Sequence, residues 1–368
     1  MKLVCSKSNL LNGVQTVSKA VPNKTTMSIL QCILVNASKE IRLTANDMEL
    51  GIETIVEGDI IEPGTVALDA KTFLDIVRSF TGDEITIETN SSYETILRCE
   101  KANYKIVGKS GEDFSNLPSI EKLDSIILSQ FTLRELIRQT IFSIADNDTN
   151  KLMTGELFEI NEDKLRVASL DGHRISIRKV YLKNAYPRKK VVVPGKTLNE
   201  ISKILPGETD KDVVIFFTNK HIVFEFDNTT VVSRLIEGDY FNIDQMLSSD
   251  YETKVTVNKR KFLDGIGRAT VLVKEGDKKP IIINITDENM ELKINSTLGS
   301  MREEIDISKN GKDLMIGFNP KFLIDALRVI DEEEVDIYLV NPKAPCFIKD
   351  SEDSYVYMIL PVNFTTVS

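Results

Sequence analysis

Apolar side chains recur along this chain with two periods, and the alternation between those periods is itself repeated. Segment 9–21 places Leu10, Leu11, Val14, Val17 and Val21 on one helical stripe. Segment 132–145 does the same with Leu133, Leu136, Ile137, Ile141 and Ile144, and segment 260–273 with Phe262, Leu263, Ile266, Ala269 and Val273. A second set of amphipathic segments reads DAKTFLDIVRSF (69–80), PGKTLNEISKIL (194–205) and NPKFLIDALRVI (319–330). Their lysines, Lys71, Lys196 and Lys321, stand 125 and 125 residues apart. Pro194 and Pro320 are expected where a helix begins, since a first-turn residue can spare its N–H.

Between these helices the period shortens to two. ILVNASKEIRLTA (33–45), LFEINEDKLRVAS (157–169) and IINITDENMELKI (282–294) each read as strand, polar turn, strand. Each third ends in a similar pair, ITIETNSSYETILRC, VVIFFTNKHIVFEF or VDIYLVNPKAPCFI. Helix, strands, helix, strands thus occurs three times at a spacing too long for a solenoid repeat of roughly 20–50 residues. The expected fold class is α+β, built from three tandem copies of one domain with two helices packed on antiparallel sheets. The copies are expected at 1–125, 126–248 and 249–368.

Composition narrows the class. The 368 residues carry 46 basic and 56 acidic side chains, a formal charge of −10, with 42% hydrophobic and 28% charged content. That is the balance of an ordinary globular protein and excludes wholesale disorder. The longest apolar run, Tyr355 to Leu360, falls far short of the roughly 18 residues a membrane span needs. The start, MKLVCSKSNLL, lacks the apolar core of a signal peptide, so a cytoplasmic protein with no membrane partner is expected. Cys5, Cys32, Cys99 and Cys346 lie far apart without C-x-x-C spacing and are expected as buried, reduced thiols.

Catalytic patterns are missing. His173 and His221 are the only histidines, and no Gly-rich phosphate loop, H-E-x-x-H or G-x-S-x-G occurs. Asp146, Asn147 and Asp148 lack the further spacing of a calcium loop. No catalytic residue, cofactor or metal is expected. Asp171-Gly172-His173-Arg174 is the sharpest local motif: a hairpin turn that would expose His and Arg as two donors at a surface.

The net charge argues against nucleic acid only until it is divided by element. With the first helices taken as 9–24, 132–145 and 259–274, the six helical segments together carry +9, which leaves −19 for the rest of the chain. Basic helices and acidic strands point to two faces with different partners.

LDGHRISI at 170–177, VVVPGKTLNEISKIL, IGFNPKFLIDAL at 316–327 and the closing YVYMILPV, in this order over residues 1–364, resemble the bacterial DNA polymerase III β subunit, the replicative sliding clamp. The resemblance implies a head-to-tail homodimer closed into a ring of six domains around duplex DNA, holding it topologically and without reading sequence. It implies a non-catalytic accessory subunit that tethers the polymerase III α subunit, the clamp loader and repair polymerases through short peptides. Lys24, Asn150, Lys151 and Lys196 match family positions that approach DNA. Arg134, Arg138, Lys259, Arg260 and Arg268 join them from the charge of the first helices.

By the same resemblance, the peptide pocket would be lined from the second repeat and the linker after it by Met153, Leu170, Gly172, His173, Arg174, Ile175, Phe241, Gln245 and Met246. The third repeat would add Asn319, Phe322, Cys346, Met358, Ile359, Leu360, Pro361 and Val362. The dimer seam would set Tyr104 and Ile106 against Val271 and Leu272, with Lys71 facing Glu303 and Glu304. Several positions depart from the family pattern: Tyr240-Phe241-Asn242-Ile243 for Phe-Pro-acidic-Tyr, Gln245 for an arginine, Met153 for a leucine, and an ending in Val362-Asn363-Phe364. These changes leave room for a divergent paralogue serving repair or a mobile element, with an altered pocket.

Overall fold

A computed structural model describes residues 1–122, 124–146, 149–207, 211–247, 250–273 and 279–364. They form two compact units, Met1–Arg134 with Lys196–Leu235, and Glu135–Gly195 with Ile236–Ser368.

Six α-helices follow the predicted amphipathic segments: α1 Lys7–Val17, α2 Ala70–Ser79, α3 Gln130–Arg138, α4 Gly195–Ile204, α5 Lys259–Thr270 and α6 Pro320–Val329. Most begin where a strand stops. Ser6, Asp69, Ser129 and Asn258 are each the last residue of a strand, and each side-chain oxygen accepts an N–H from the first helical turn at 2.9–3.2 Å. One residue therefore ends the ladder and satisfies a donor the helix leaves open. Asn319 caps α6 in the same way, and Pro320 is its first residue. Pro194 differs from its expected place, because it closes the strand Arg174–Pro194 and Gly195 opens α4. A Cβ at Gly195 would collide with the Ile144 side chain, so close packing selects glycine there.

In the first unit, a five-stranded antiparallel sheet runs in the order Gly58–Glu62, Lys2–Ser6, Glu84–Thr89, Glu94–Cys99, Ala102–Val107. An eight-stranded sheet joins strands of the first and second repeats where Thr229–Arg234 pairs with Leu50–Val56. In the second unit, a ten-stranded sheet joins the second and third repeats where Arg174–Pro194 pairs with Tyr355–Ile359. The repeats thus share sheets, which is why the compact units cut across them.

Helix pairs α1/α2 and α5/α6 pack together within their own units. Beneath α5 and α6 lies a core of Phe262, Ile266, Leu323 and Leu327 with Ile283, Leu292, Tyr357 and Ile359. All four cysteines are buried and free. Burial pushes the Cys5 thiol up to about 12 and raises those of Cys32 and Cys346. Asn147 and Asp148 of the acidic cluster noted above lie outside the described residues.

Candidate functional site

The Asp171–Arg174 turn is built by its aspartate. Asp171 Oδ1 accepts the backbone N–H groups of His173 and Arg174 at 2.9 and 3.1 Å, and Gly172 takes the left-handed conformation (φ 87°) that the turn demands. His173 is exposed, stacked on Phe322 with ring centroids 6.3 Å apart. Arg174 is not the surface donor that the motif predicts. It is only 6% exposed, and its guanidinium binds Asp171 Oδ2 at 2.8 Å, Asp325 Oδ2 at 2.7 Å and the Phe142 carbonyl. Its plane lies over the Phe322 ring at 4.4 Å. The side chain ties the turn to α6 instead of offering donors to solvent.

Strand alternation decides which pocket candidates share a face. Arg174 pairs with Ile359 and Ile175 with Met358, so neighbours along each strand point to opposite sides. Leu170, Ile175 and Met358 enter one apolar cluster with Ile243 and Phe347, and Met153, Tyr240, Phe241 and Leu360 pack against it. Ile359 and Cys346, by contrast, are buried in the core under the helices. These two cannot line a pocket on the opposite face, a correction that the register makes for every second residue. Phe322 also packs on the helix-side core, and it reaches the turn through the contacts of its ring with Arg174 and His173. Gln245 ends a short 3₁₀ turn, leaving Met246 40% exposed beside it. Asn319 is occupied as the α6 cap. Beyond the strand, Leu360 N–H donates to the His173 carbonyl and Val362 N–H to the Gly317 carbonyl, both at 2.9 Å, with Pro361 between them.

The linker crossing this face is pinned. Arg166 Nε binds Glu159 at 2.8 Å and its Nη atoms bind Asp244, while Ile243 is 1% exposed. Tyr240 meets Phe241 edge-to-face at 5.7 Å, and its hydroxyl lies 3.4 Å from the Gly155 carbonyl. Below it is Glu156, fully buried on the Gly155–Leu170 strand. Burial pushes its carboxyl up to about 8, and the adjacent Thr140 spends its hydroxyl proton on the Leu136 carbonyl. Burial, then the Glu156 charge, raises the Tyr240 phenol. Glu156, Phe142 and Asp325 were not legible as site residues. For Glu156 the signal is position, since it shares a strand face with the buried Phe158 and Ile160.

The basic candidates divide by partner. Lys24, Arg134 and Lys151 are exposed and carry no ion pair among the described residues, and Asn150 caps the turn that holds Lys151. Arg260 is 89% exposed, with Asp264 at 3.9 Å. The others are engaged. Arg138 binds Glu135 and Asp331, Lys196 binds Asp47, and Lys259 donates to the Ile330 carbonyl at 2.6 Å. Arg268 grips Glu303 with Nε and Nη2, so Glu303 already has a cation within its own chain. Helix charge alone therefore overcounts the cations free to meet phosphate.

Among the seam candidates, Val271 is 77% exposed and Leu272 packs on the core. Tyr104 leans edge-on against Phe80 at 5.5 Å with Ile106 half-buried nearby in sequence, and the adjacent Val107 is 76% exposed. Lys71 is exposed, and Glu304 lies 3.4 Å from Arg302. Among the described residues, no cluster of His, Cys, Asp and Glu could hold a metal ion, and no helix is long and apolar enough to cross a membrane.

Three tandem α+β repeats with capped helices over shared antiparallel sheets define the class, a clamp fold. Profiles of the DNA polymerase III beta subunit match its N-terminal domain at residues 1–118, its central domain at 127–242 and its C-terminal domain at 244–363. The Beta sliding clamp of Staphylococcus epidermidis is 32% identical over 374 residues, covering 98% of this chain and 99% of that protein. A solved structure from Eubacterium rectale, assigned as a DNA polymerase III beta subunit, is 71% identical with a TM-score of 0.96, covering 99% of this chain and 100% of that one. The DNA polymerase sliding clamp of Bacillus subtilis is 32% identical with a TM-score of 0.95 over the same shares. The chain belongs to the DNA polymerase III β subunit family, the sliding clamps, and is a non-catalytic processivity subunit.

Proposed function

We propose that this clamp works as a head-to-tail homodimeric ring around duplex DNA, in the cytoplasm, and that partners dock on the face crossed by the Tyr240–Met246 linker. The three repeats would act as domains 1–125, 126–248 and 249–368. The observation that carries the reading is the repeat itself: full-length similarity to sliding clamps, with basic side chains concentrated on the repeated helices. Among the basic candidates, Lys24, Arg134, Lys151 and Arg260 are left to face phosphate, and loose contacts to the backbone would let DNA slide and leave base edges unread. The polymerase III α subunit, the clamp loader and repair polymerases are the expected partners. Each would place an apolar-anchored peptide on Met153, Leu170, Ile175, Phe241, Met246, Met358 and Leu360, where adaptable methionines suit several occupants in turn. Tethering then raises processivity through effective concentration.

Topology is the direct test. Loaded protein should stay on circular duplex at least about tenfold longer than on linear duplex with free ends, with the difference surviving salt that screens phosphate contacts. Equal retention would refute encirclement. The seam has its own test. Val271→Asp places a carboxylate in the proposed contact, costing about 3 kcal/mol or more if it is buried unpaired. Sedimentation should then show a species near 41.4 kDa in place of one twice that mass. An unchanged dimer would remove Val271 from the seam.

A further inference from the structure

The turn that organises the peptide face has a counterpart in the first unit. Asp47 Oδ1 accepts the N–H groups of Glu49 and Leu50 at 3.0 and 2.7 Å, as Asp171 does for His173 and Arg174. Met48 holds φ 76° where Gly172 holds 87°. Arg234 N–H donates to the Glu49 carbonyl at 2.9 Å, just as Leu360 N–H donates to that of His173. Leu50 pairs with Ser233 as Arg174 pairs with Ile359. The same backbone frame therefore occurs twice, with different side chains.

Those side chains leave space. Gly51 stands where the second frame has Ile175, and a Cβ there would collide with Leu117, whose side chain enters over the bare backbone. The segment over this frame, residues 115–120, is tied by Asn46 Nδ2, which donates to the Ser115 carbonyl at 2.8 Å, while Arg42, the counterpart of Arg166, is spent on Glu40 and Glu53. A cavity of about 350 Å³ remains, floored by Leu50, Gly51, Leu117 and Val232. Its polar lining includes Arg234, which is exposed and without an ion pair among the described residues, and His221. Glu49 is the only acid among the described lining residues. Burial, then Arg234 and Lys220, lowers the His221 pKa, so it stands neutral beside the arginine.

We propose that this cavity is a second peptide-docking site, for a short segment in which an apolar side chain is followed by a carboxylate. The inference rests on the reading of the repeat-related face as the first such site. Leu117, seated on Gly51 beside Leu50 and Val232, makes the floor apolar, and Arg234 supplies a positive charge at its edge that complements a carboxylate.

Methionine methyls separate the two sites in one spectrum. The full-length protein carrying ¹³C-methyl methionine would be titrated with N-acetyl-Leu-Phe as the free acid and as the amide. Met48 reports the proposed site, and Met153, Met246 and Met358 report the first. The acid should shift Met48 saturably with a Kd of about 0.1–1 mM, and the amide should bind about tenfold more weakly. Arg234→Ala should abolish the Met48 shift while Arg234→Lys retains part of it; both replace an exposed side chain, and an unchanged methyl spectrum without ligand confirms folding. A Met48 signal unmoved by the acid, moved equally by the amide, or insensitive to Arg234→Ala would overturn the proposal. If only Met153, Met246 and Met358 respond, the second site fails and the first stands. If only Met48 responds, the first site fails and the second keeps its own support.

Discussion

Arg174→Ala is expected to lower the stability of the second unit by about 3–5 kcal/mol, the range for removing one partner of a buried ion pair. The arginine neutralises Asp171 and Asp325 and satisfies the Phe142 carbonyl while covering the Phe322 ring. Alanine leaves two carboxylates, 13% and 19% exposed, without their cation. The first unit supplies the comparison, since its equivalent position is the buried Leu50 in the same frame. An arginine is thus not required to build this turn, but once two acids face it, it cannot be removed alone. Arg174→Leu combined with Asp325→Leu should recover much of the loss, as apolar replacement of a buried pair often does. Thermal unfolding of the three proteins decides it. A single-variant loss below about 1 kcal/mol, the scale of an exposed bridge, would show that the network is not holding the turn.

The second large effect is on pH. A free carboxyl titrates near 4.5, whereas that of Glu156 is raised to about 8 by burial. Between those values the folded chain keeps a proton that the unfolded chain has released. Stability therefore falls as pH rises through the window, by about 1.4 kcal/mol per unit, and levels off above 8. Summed over the window, the cost is on the order of 5 kcal/mol. Glu156→Gln keeps the shape without the charge, so it should match the parent near pH 4.5 and exceed it increasingly up to pH 8. The readout is the difference in unfolding midpoint between parent and variant across that range, which cancels the other carboxylates. Parallel curves would mean that Glu156 is ionised in the folded chain. Because Tyr240 lies above it, the same ionisation bears on the linker that crosses the peptide face.

Periodicity made the helices readable. Stripes such as Leu133, Leu136 and Ile137 are buried as the spacing requires, and the errors at their ends come from caps. Ser6 starts α1 at Lys7, three residues before the apolar stripe begins at Leu10. The long strands were less legible. Gly155–Leu170 runs through the polar NEDK segment that reads as a turn, since Glu162 adopts φ 56° and the ladder shifts register without breaking. The candidate site was legible as a set of segments but not as a set of facing side chains. Cys346 and Ile359 sit beside Phe347 and Met358 in the chain and fall on the other side of the sheet. Arg174, Lys196 and Arg268 look like free cations because Asp325, Asp47 and Glu303 are 35 to 151 residues away. Local sequence can show that a residue is basic; only tertiary pairing shows whether its charge is available.

The four buried cysteines have a practical consequence for watching this protein at work. A thiol must ionise to react with maleimides or oxidants, and burial both hides the sulfurs and suppresses the thiolates of Cys5, Cys32 and Cys346. A cysteine introduced at the exposed Ser300 would react first on an otherwise native chain. Fluorophores could then be attached at one chosen position without first stripping the protein of its own sulfur.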